Sequence, residues 1–252
     1  MLDLSLSREE IEQLKSIEVL IEEVKTTEDA DELIKILASK HNVVKSYLSD
    51  LRLSNMPEKD VEYVKSVNSR VWGILEPIYN HLVIMAKEHM NQWYKRIKRE
   101  SGAIDPKLYD YQEDLANFLL EAIIKNELTD TIYTLVLSRG SGKTYTLSVV
   151  GTFITLHHDS YILHNSNTDF VMIISAPTQK QLSGFYDNIS DFMSVSKTVG
   201  IISDKKSETS ELNLVQIKDN VSETQLITSN GARFATIFYR LGADSIEGLH
   251  CN

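Results

Sequence analysis

The sequence predicts an α/β protein: an all-helical N-terminal region over residues 1–100, then a layer with a largely parallel sheet over 101–252. Three observations predict it. Apolar residues recur at helical spacing through the first hundred positions. The turn-rich stretch "SGAIDP" at 101–106 marks a boundary. Beyond it, short β-rich apolar runs alternate with amphipathic helical runs.

The first helix opens at Ser7, where Glu10, three residues on, completes a capping box. Ile11, Leu14, Ile17, Leu20 and Ile21 then share one stripe. A second helical run, 26–51, carries Leu33, Leu37, Val44 and Leu48 on one face. A third spans 54–100. Pro57 suits its first turn, whereas Pro77 lies inside and is expected to kink or break it. Trp72 and Trp93 are expected in a core or interface. The run ends in "KRIKRE", so that Lys95, Arg96, Lys98 and Arg99 form a basic cluster beside Trp93 and Tyr94. Such a cluster suits a nucleic-acid backbone, and equally a solvated helix end whose cations face the negative pole of the dipole.

After the boundary, "YQEDLANFLLEAIIKNE" (111–127) predicts an amphipathic helix and "TIYTLVLS" (131–138) a strand. A helix is expected from 144, a strand over 169–177 closed by Pro177, and a helix over 179–196. "SETQLITS" (222–229) and "ARFATIFY" (232–239) predict two more strands, with Asn230–Gly231 as the hairpin signal between them. His157, His158 and His164 have no zinc-ligand spacing and no partner cysteine, which predicts a loop with polar histidines. "SDKKSETSE" (203–211) reads as an exposed polar loop with Lys205 and Lys206 as its cations.

Composition limits the function classes. Hydrophobic residues are 42% and charged residues 25%, ordinary globular usage. A net charge of −10 argues against a basic coat for nucleic acid but not against a local basic groove. A single cysteine, Cys251, permits no internal disulfide and points to a reducing compartment. The first residues lack a signal-peptide pattern, and no apolar run approaches the length of a membrane span.

The stretch that carries chemistry is "LVLSRGSGKTYTL", 135–147: a buried strand, a glycine turn and a helix start. Phosphate binding needs several backbone N–H groups aimed at one point, with no side chains in the way. Gly140 and Gly142 permit that approach, and the helix N-terminus that follows favours an anion. Lys143 suits the β- and γ-phosphates, and the Thr144 hydroxyl suits Mg²⁺. The binding set read from the sequence is therefore Ser138, Arg139, Gly140, Ser141, Gly142, Lys143, Thr144 and Tyr145. Gln112 is the adenine candidate, since a glutamine amide pairs with adenine N6 and N7, with Tyr109 or Tyr111 near enough to stack. The phosphate loop is unusual, with Leu137 in place of the first glycine and Arg139 inside the turn.

The order "YQ", "SRGSGKT", "IISAPTQKQL", "TSNGARF", "GADSIEGLHCN" resembles the ATPase domain of large terminase subunits, the motors that package DNA into phage and viral capsids. The resemblance spans about 105–252, and the arginine-bearing loop without its first glycine is typical of that family. Glu247 departs from the family's usual arginine. The resemblance implies an ASCE-type P-loop NTPase fold, ATP with Mg²⁺ as cofactors, and packaging of double-stranded DNA. It further implies a homo-oligomeric ring, a small terminase subunit and a portal as partners, and a virus-encoded or prophage protein in the host cytoplasm. Arg139 and Lys143 become the catalytic candidates, with Arg139 stabilising charge on the transferring phosphoryl group. A Walker B aspartate and its neighbouring glutamate are not found in the 252 residues, so the chain is expected to be the N-terminal part of the motor, with an incomplete P-loop domain and no nuclease domain. Two alternatives stay open: a superfamily 2 helicase-like nucleic-acid ATPase, and a non-hydrolysing ATP-binding fragment.

Overall fold

The computed structural model describes residues 5–48, 50–126, 140–165, 169–205, 209–228, 231 and 233–241. The predicted strand at 131–138, the segment from 242 onward, Asn230, Lys206, Glu247 and Cys251 lie outside the described residues. The described part is α/β, mostly helical, with a small four-stranded mixed sheet. The chain divides into two compact units, Met1–Leu82 with Ile162–Ser166, and Val83–Tyr161 with Asn167–Asn252.

The first unit holds α1 (Arg8–Thr26), α2 (Asp31–Tyr47), the single turn α3 (Asp50–Leu53), the first part of α4 (Glu58–Glu100) and a 3₁₀ turn at Leu163–Asn165. Ser7 starts α1 as the sequence predicts: its Oγ accepts from the Glu10 N–H, and the Glu10 carboxylate accepts from the Ser7 N–H. Leu14, Ile17, Leu20 and Ile21 are buried, as are Leu37 and Val44 of α2 and Val64, Val67, Val71, Leu75 and Tyr79 of α4. Polar bonds frame this core. Arg70 pairs with Glu18 and Glu22, Arg52 with Glu10, and the Tyr47 hydroxyl donates to Gln13.

The expected break at Pro77 does not occur: α4 runs unbroken from Glu58 to Glu100. The proline ring sits on the exposed face and would crowd the carbonyl four residues back, which belongs to Gly73. Gly73 has nothing within 4 Å of its missing Cβ, so its backbone can tilt toward solvent. Burial of Val71, Leu75 and Tyr79 on the opposite face holds the helix together.

The second unit is built around α6 (Lys143–Tyr161), which is buried nearly all round. α5 (Asp110–Ile124) and α7 (Gln179–Thr198) pack on it, together with the last turns of α4. The hydroxyls of Thr146, Ser148, Thr152 and Thr155 are buried, and each donates to the carbonyl four residues back, at 2.7–3.2 Å. That local bond removes the cost of burying a hydroxyl, so a helix with many polar residues serves as a core element. α6 kinks at His157, whose φ of −116° and ψ of 20° are not helical; His157 and His158 are buried there, and His164 lies in the 3₁₀ turn. The polar loop expected for these histidines is thus replaced by helix, because aromatic packing encloses them: His157 against His89 and Phe153, and His158 stacked on Phe170.

The sheet runs in the order β1-β4-β3-β2, with β1 Phe170–Ala176, β2 Leu214–Asn220, β3 Glu223–Thr228 and β4 Phe234–Leu241. Among the described residues it is mixed rather than largely parallel: β1 and β4 pair parallel, while β4–β3 and β3–β2 pair antiparallel. A tight turn at 221–222 links β2 to β3, and β3 and β4, consecutive in sequence, pair antiparallel as well. β3 and β4 form the predicted antiparallel pair, but its closing bond, from the Thr228 N–H to the Arg233 carbonyl, spans more than the two-residue turn expected at Asn230–Gly231. β2 was not predicted. Half of it is exposed and polar, with a bulge between Gln216 and Lys218, so the alternation a strand needs is broken.

Candidate functional site

The site starts from the glycine turn that feeds α6. Gly140 and Gly142 adopt φ 84° and 71°, a left-handed backbone that side chains disfavour. The Gly142 carbonyl accepts the first helical bond, from Thr146 N–H at 2.9 Å. By helix geometry the N–H groups of Gly142, Lys143, Thr144 and Tyr145 then have no intrahelical acceptor. Gly142 has no side chain with which to cap them. Ser141 supplies a second sign: its Oγ is buried and has no partner among the described residues. A buried hydroxyl without a partner is costly unless a ligand or water meets it.

Gln112 meets this turn from thirty residues away in sequence. It lies in the first turn of α5, only 7% exposed. Its Oε1 accepts from the Tyr109 N–H at 3.2 Å. Its Nε2 abuts Gly142 so closely that a Cβ on that glycine would lie 2.3 Å away. A side chain at 142 would have to displace the end of Gln112 and also adopt a φ of 71°, which favours glycine. Tyr109 and Tyr111 stand exposed nearby, their rings stacked 5.9 Å apart at 4°.

Of the predicted binding residues, the structure brings Gln112, Gly140, Ser141, Gly142, Lys143, Thr144 and Tyr145 together at one helix start. Ser138 and Arg139 lie outside the described residues. The Thr144 methyl lies toward α7, where a Cβ on Gly184 would meet it at 3.8 Å. The Tyr145 ring turns into the protein: it packs edge-on to Phe192, and its hydroxyl shares a 3.0 Å bond with that of Tyr94. Burial and the Tyr94 bond hold the Tyr145 phenol well above its ordinary pKa, so it stays neutral. What Tyr145 can offer an anion is its backbone N–H. A cavity of about 310 Å³ lies beside its ring, walled also by Ile97, Lys98, Asn188 and Phe192.

The basic end of α4 divides by role. Arg96 bonds Glu211 and the Val199 carbonyl, and Lys98 sits 5.7 Å from the Tyr145 ring centre, whereas Lys95 and Arg99 are exposed. Gly184 of α7 is the neighbour that sequence reasoning missed, whereas the sequence marks Tyr94 and Lys98 of α4 as part of a basic cluster and not as neighbours of Tyr145. The glycine inside the α7 run was a visible signal of close approach. Among the described residues no group of three or more His, Cys, Asp or Glu is placed to hold a metal, and no helix is long and apolar enough to cross a membrane. No protein-family model, curated protein or solved structure matches the chain.

Proposed function

We propose that this chain binds ATP with Mg²⁺ at the Gly140–Tyr145 turn and is the ATP-binding part of a terminase-like motor that packages double-stranded DNA. One observation carries the nucleotide reading: a glycine turn in left-handed backbone opens directly into α6, which has no side chain at its cap residue, with the Ser141 hydroxyl buried and unpartnered beside it. The fit of a polyphosphate follows from that geometry. The N–H groups at the helix start are donors, the dipole is positive there, and Gly140 has open space beside it.

In this reading Lys143 binds the terminal phosphates as a point charge, and the Thr144 hydroxyl is the Mg²⁺ ligand. Arg139 supplies cationic stabilisation of the transferring group, by resemblance. Bound nucleotide brings the phosphoanhydride bond whose cleavage drives a motor; the chain's residues here hold, orient and neutralise. The terminase part rests on the order of motifs along the sequence, from Gln112 through "SRGSGKT" to "TSNGARF".

Calorimetric titration of ATP–Mg²⁺ into the chain and into Lys143→Ala tests the nucleotide reading. Saturable binding that weakens about 10- to 100-fold in the variant is expected, the loss of a charge-assisted contact. Equal binding by both proteins, or none by either, contradicts it. Adding DNA separates motor from helicase: the motor expects duplex to raise ATP affinity or turnover, whereas a helicase-like ATPase expects single strands to do so.

A further inference from the structure

One end of the Gln112 amide is hydrogen-bonded within the protein and the other lies against Gly142. Reading adenine takes both atoms of the amide, oxygen and NH₂, presented along one edge. Here Oε1 turns back onto the start of α5 at Tyr109, and Nε2 presses on Gly142. Gln112 is only 7% exposed, and its Oε1 is held by the Tyr109 N–H, so little of that edge is open to a base. What the amide does instead is connect two segments. Gly142 is the residue whose carbonyl begins α6 and whose φ of 71° sets the turn. The direction of the N–H groups at 142–145 depends on that residue, and Gln112 is what it rests against.

We propose that Gln112 is a positioning residue for the phosphate turn: its amide is a strut between the α5 N-terminus and Gly142, and it supports binding of any polyphosphate, whatever the base. The inference rests on the nucleotide reading above and assigns a different role to the residue that the sequence marks for adenine. A strut predicts two things that a base reader does not. Its removal weakens ligands with and without adenine alike. It is also coupled to Gly142 even when no ligand is present.

The test uses the whole chain, with ATP, GTP and inorganic tripolyphosphate as probes. Gln112→Ala is expected to weaken all three by a similar factor, on the order of tenfold. Weakening of ATP alone, with GTP and tripolyphosphate unchanged, overturns the strut and restores the adenine reader. Weakening of none overturns it as well. If the unaltered chain binds none of the three, the nucleotide reading itself fails, and the strut is then judged without ligand. For that, amide hydrogen exchange is followed at 142–146 in Gln112→Ala, in Gly142→Ala and in the double variant. An alanine at 142 displaces the Gln112 amide, so the two substitutions are expected to be non-additive, the double variant exchanging about as fast as Gly142→Ala. Full additivity, or unchanged exchange at 142–146 in Gln112→Ala, contradicts the strut. A residue that merely caps α5 would lower stability while leaving exchange at 142–146 unchanged.

Discussion

Helices α1 and α6 begin in opposite ways. At α1 the first free donors are met from within the chain, by the Ser7 hydroxyl and in return by the Glu10 carboxylate. α7 is similar, with Thr178 Oγ1 accepting from the Gln181 N–H. At α6 the cap residue is Gly142, which has no side chain to offer, and a buried hydroxyl beside it lacks a partner among the described residues. α2 also starts without a side-chain cap, at Ala30, so what sets the α6 start apart is its left-handed glycine turn together with the buried Ser141 hydroxyl. The bodies of the two helices differ in the same sense. α1 buries one apolar stripe, whereas α6 is enclosed, its hydroxyls bonded to its own carbonyls. The second arrangement is expected to hold the body of α6 firm up to its kink at His157, and with it the direction of the N-terminus.

The largest effect expected is in acid. Burial holds His157 down to about 3 in the α6 unit, and His41 and His164 down to about 4 in the helical unit. In the unfolded chain these groups take up protons near pH 6.5, so below that pH the unfolded state binds more protons than the folded one. Stability is therefore full above about pH 7 and falls as pH drops through 6.5 toward 4, by several kcal/mol in total on the order of one pKa unit per 1.4 kcal/mol. Urea unfolding between pH 7.5 and 4.5 checks this. A flat profile would show that these histidines are reached by solvent.

Next in size is Phe153→Ala, within the enclosed body of α6. Phe153 is fully buried against Trp93, His89 and His157, and its loss is expected to cost about 3–5 kcal/mol. Its ATP affinity should be measured under conditions where the variant remains folded. An unchanged affinity in a looser α6 would break the link between a rigid body and an aimed N-terminus. Smallest is Ser7→Ala at the capped start, expected to cost about 1 kcal/mol with no change in ATP affinity. A Ser7→Ala effect on binding would falsify the division of labour between the two helix starts.

The sequence made α1 legible because its signals are local: a cap, a carboxylate three residues on, and a stripe. The glycine turn into α6 was legible for the same reason, since the residue types alone set its backbone. The histidines of α6 were not, because their burial comes from rings on α4 and β1, far away in sequence. The continuity of α4 through Pro77 depended on an open glycine four residues back and on packing of the opposite face, and neither follows from a proline in the pattern. β2 was hidden because its partner, β3, supplies the ladder that its own polar half does not advertise. At the site, the residue types of Gln112 and Gly142 were both visible, but their contact was not, and that contact changes what Gln112 is taken to do.

The most direct measurement is amide hydrogen exchange across residues 140–148 with and without ATP–Mg²⁺. The N–H groups at the α6 start are expected to slow strongly when nucleotide is present, with no change at the start of α1. Exchange at 142–145 that is indifferent to ATP, while another segment responds or none does, would contradict the assignment of this helix start as the phosphate site.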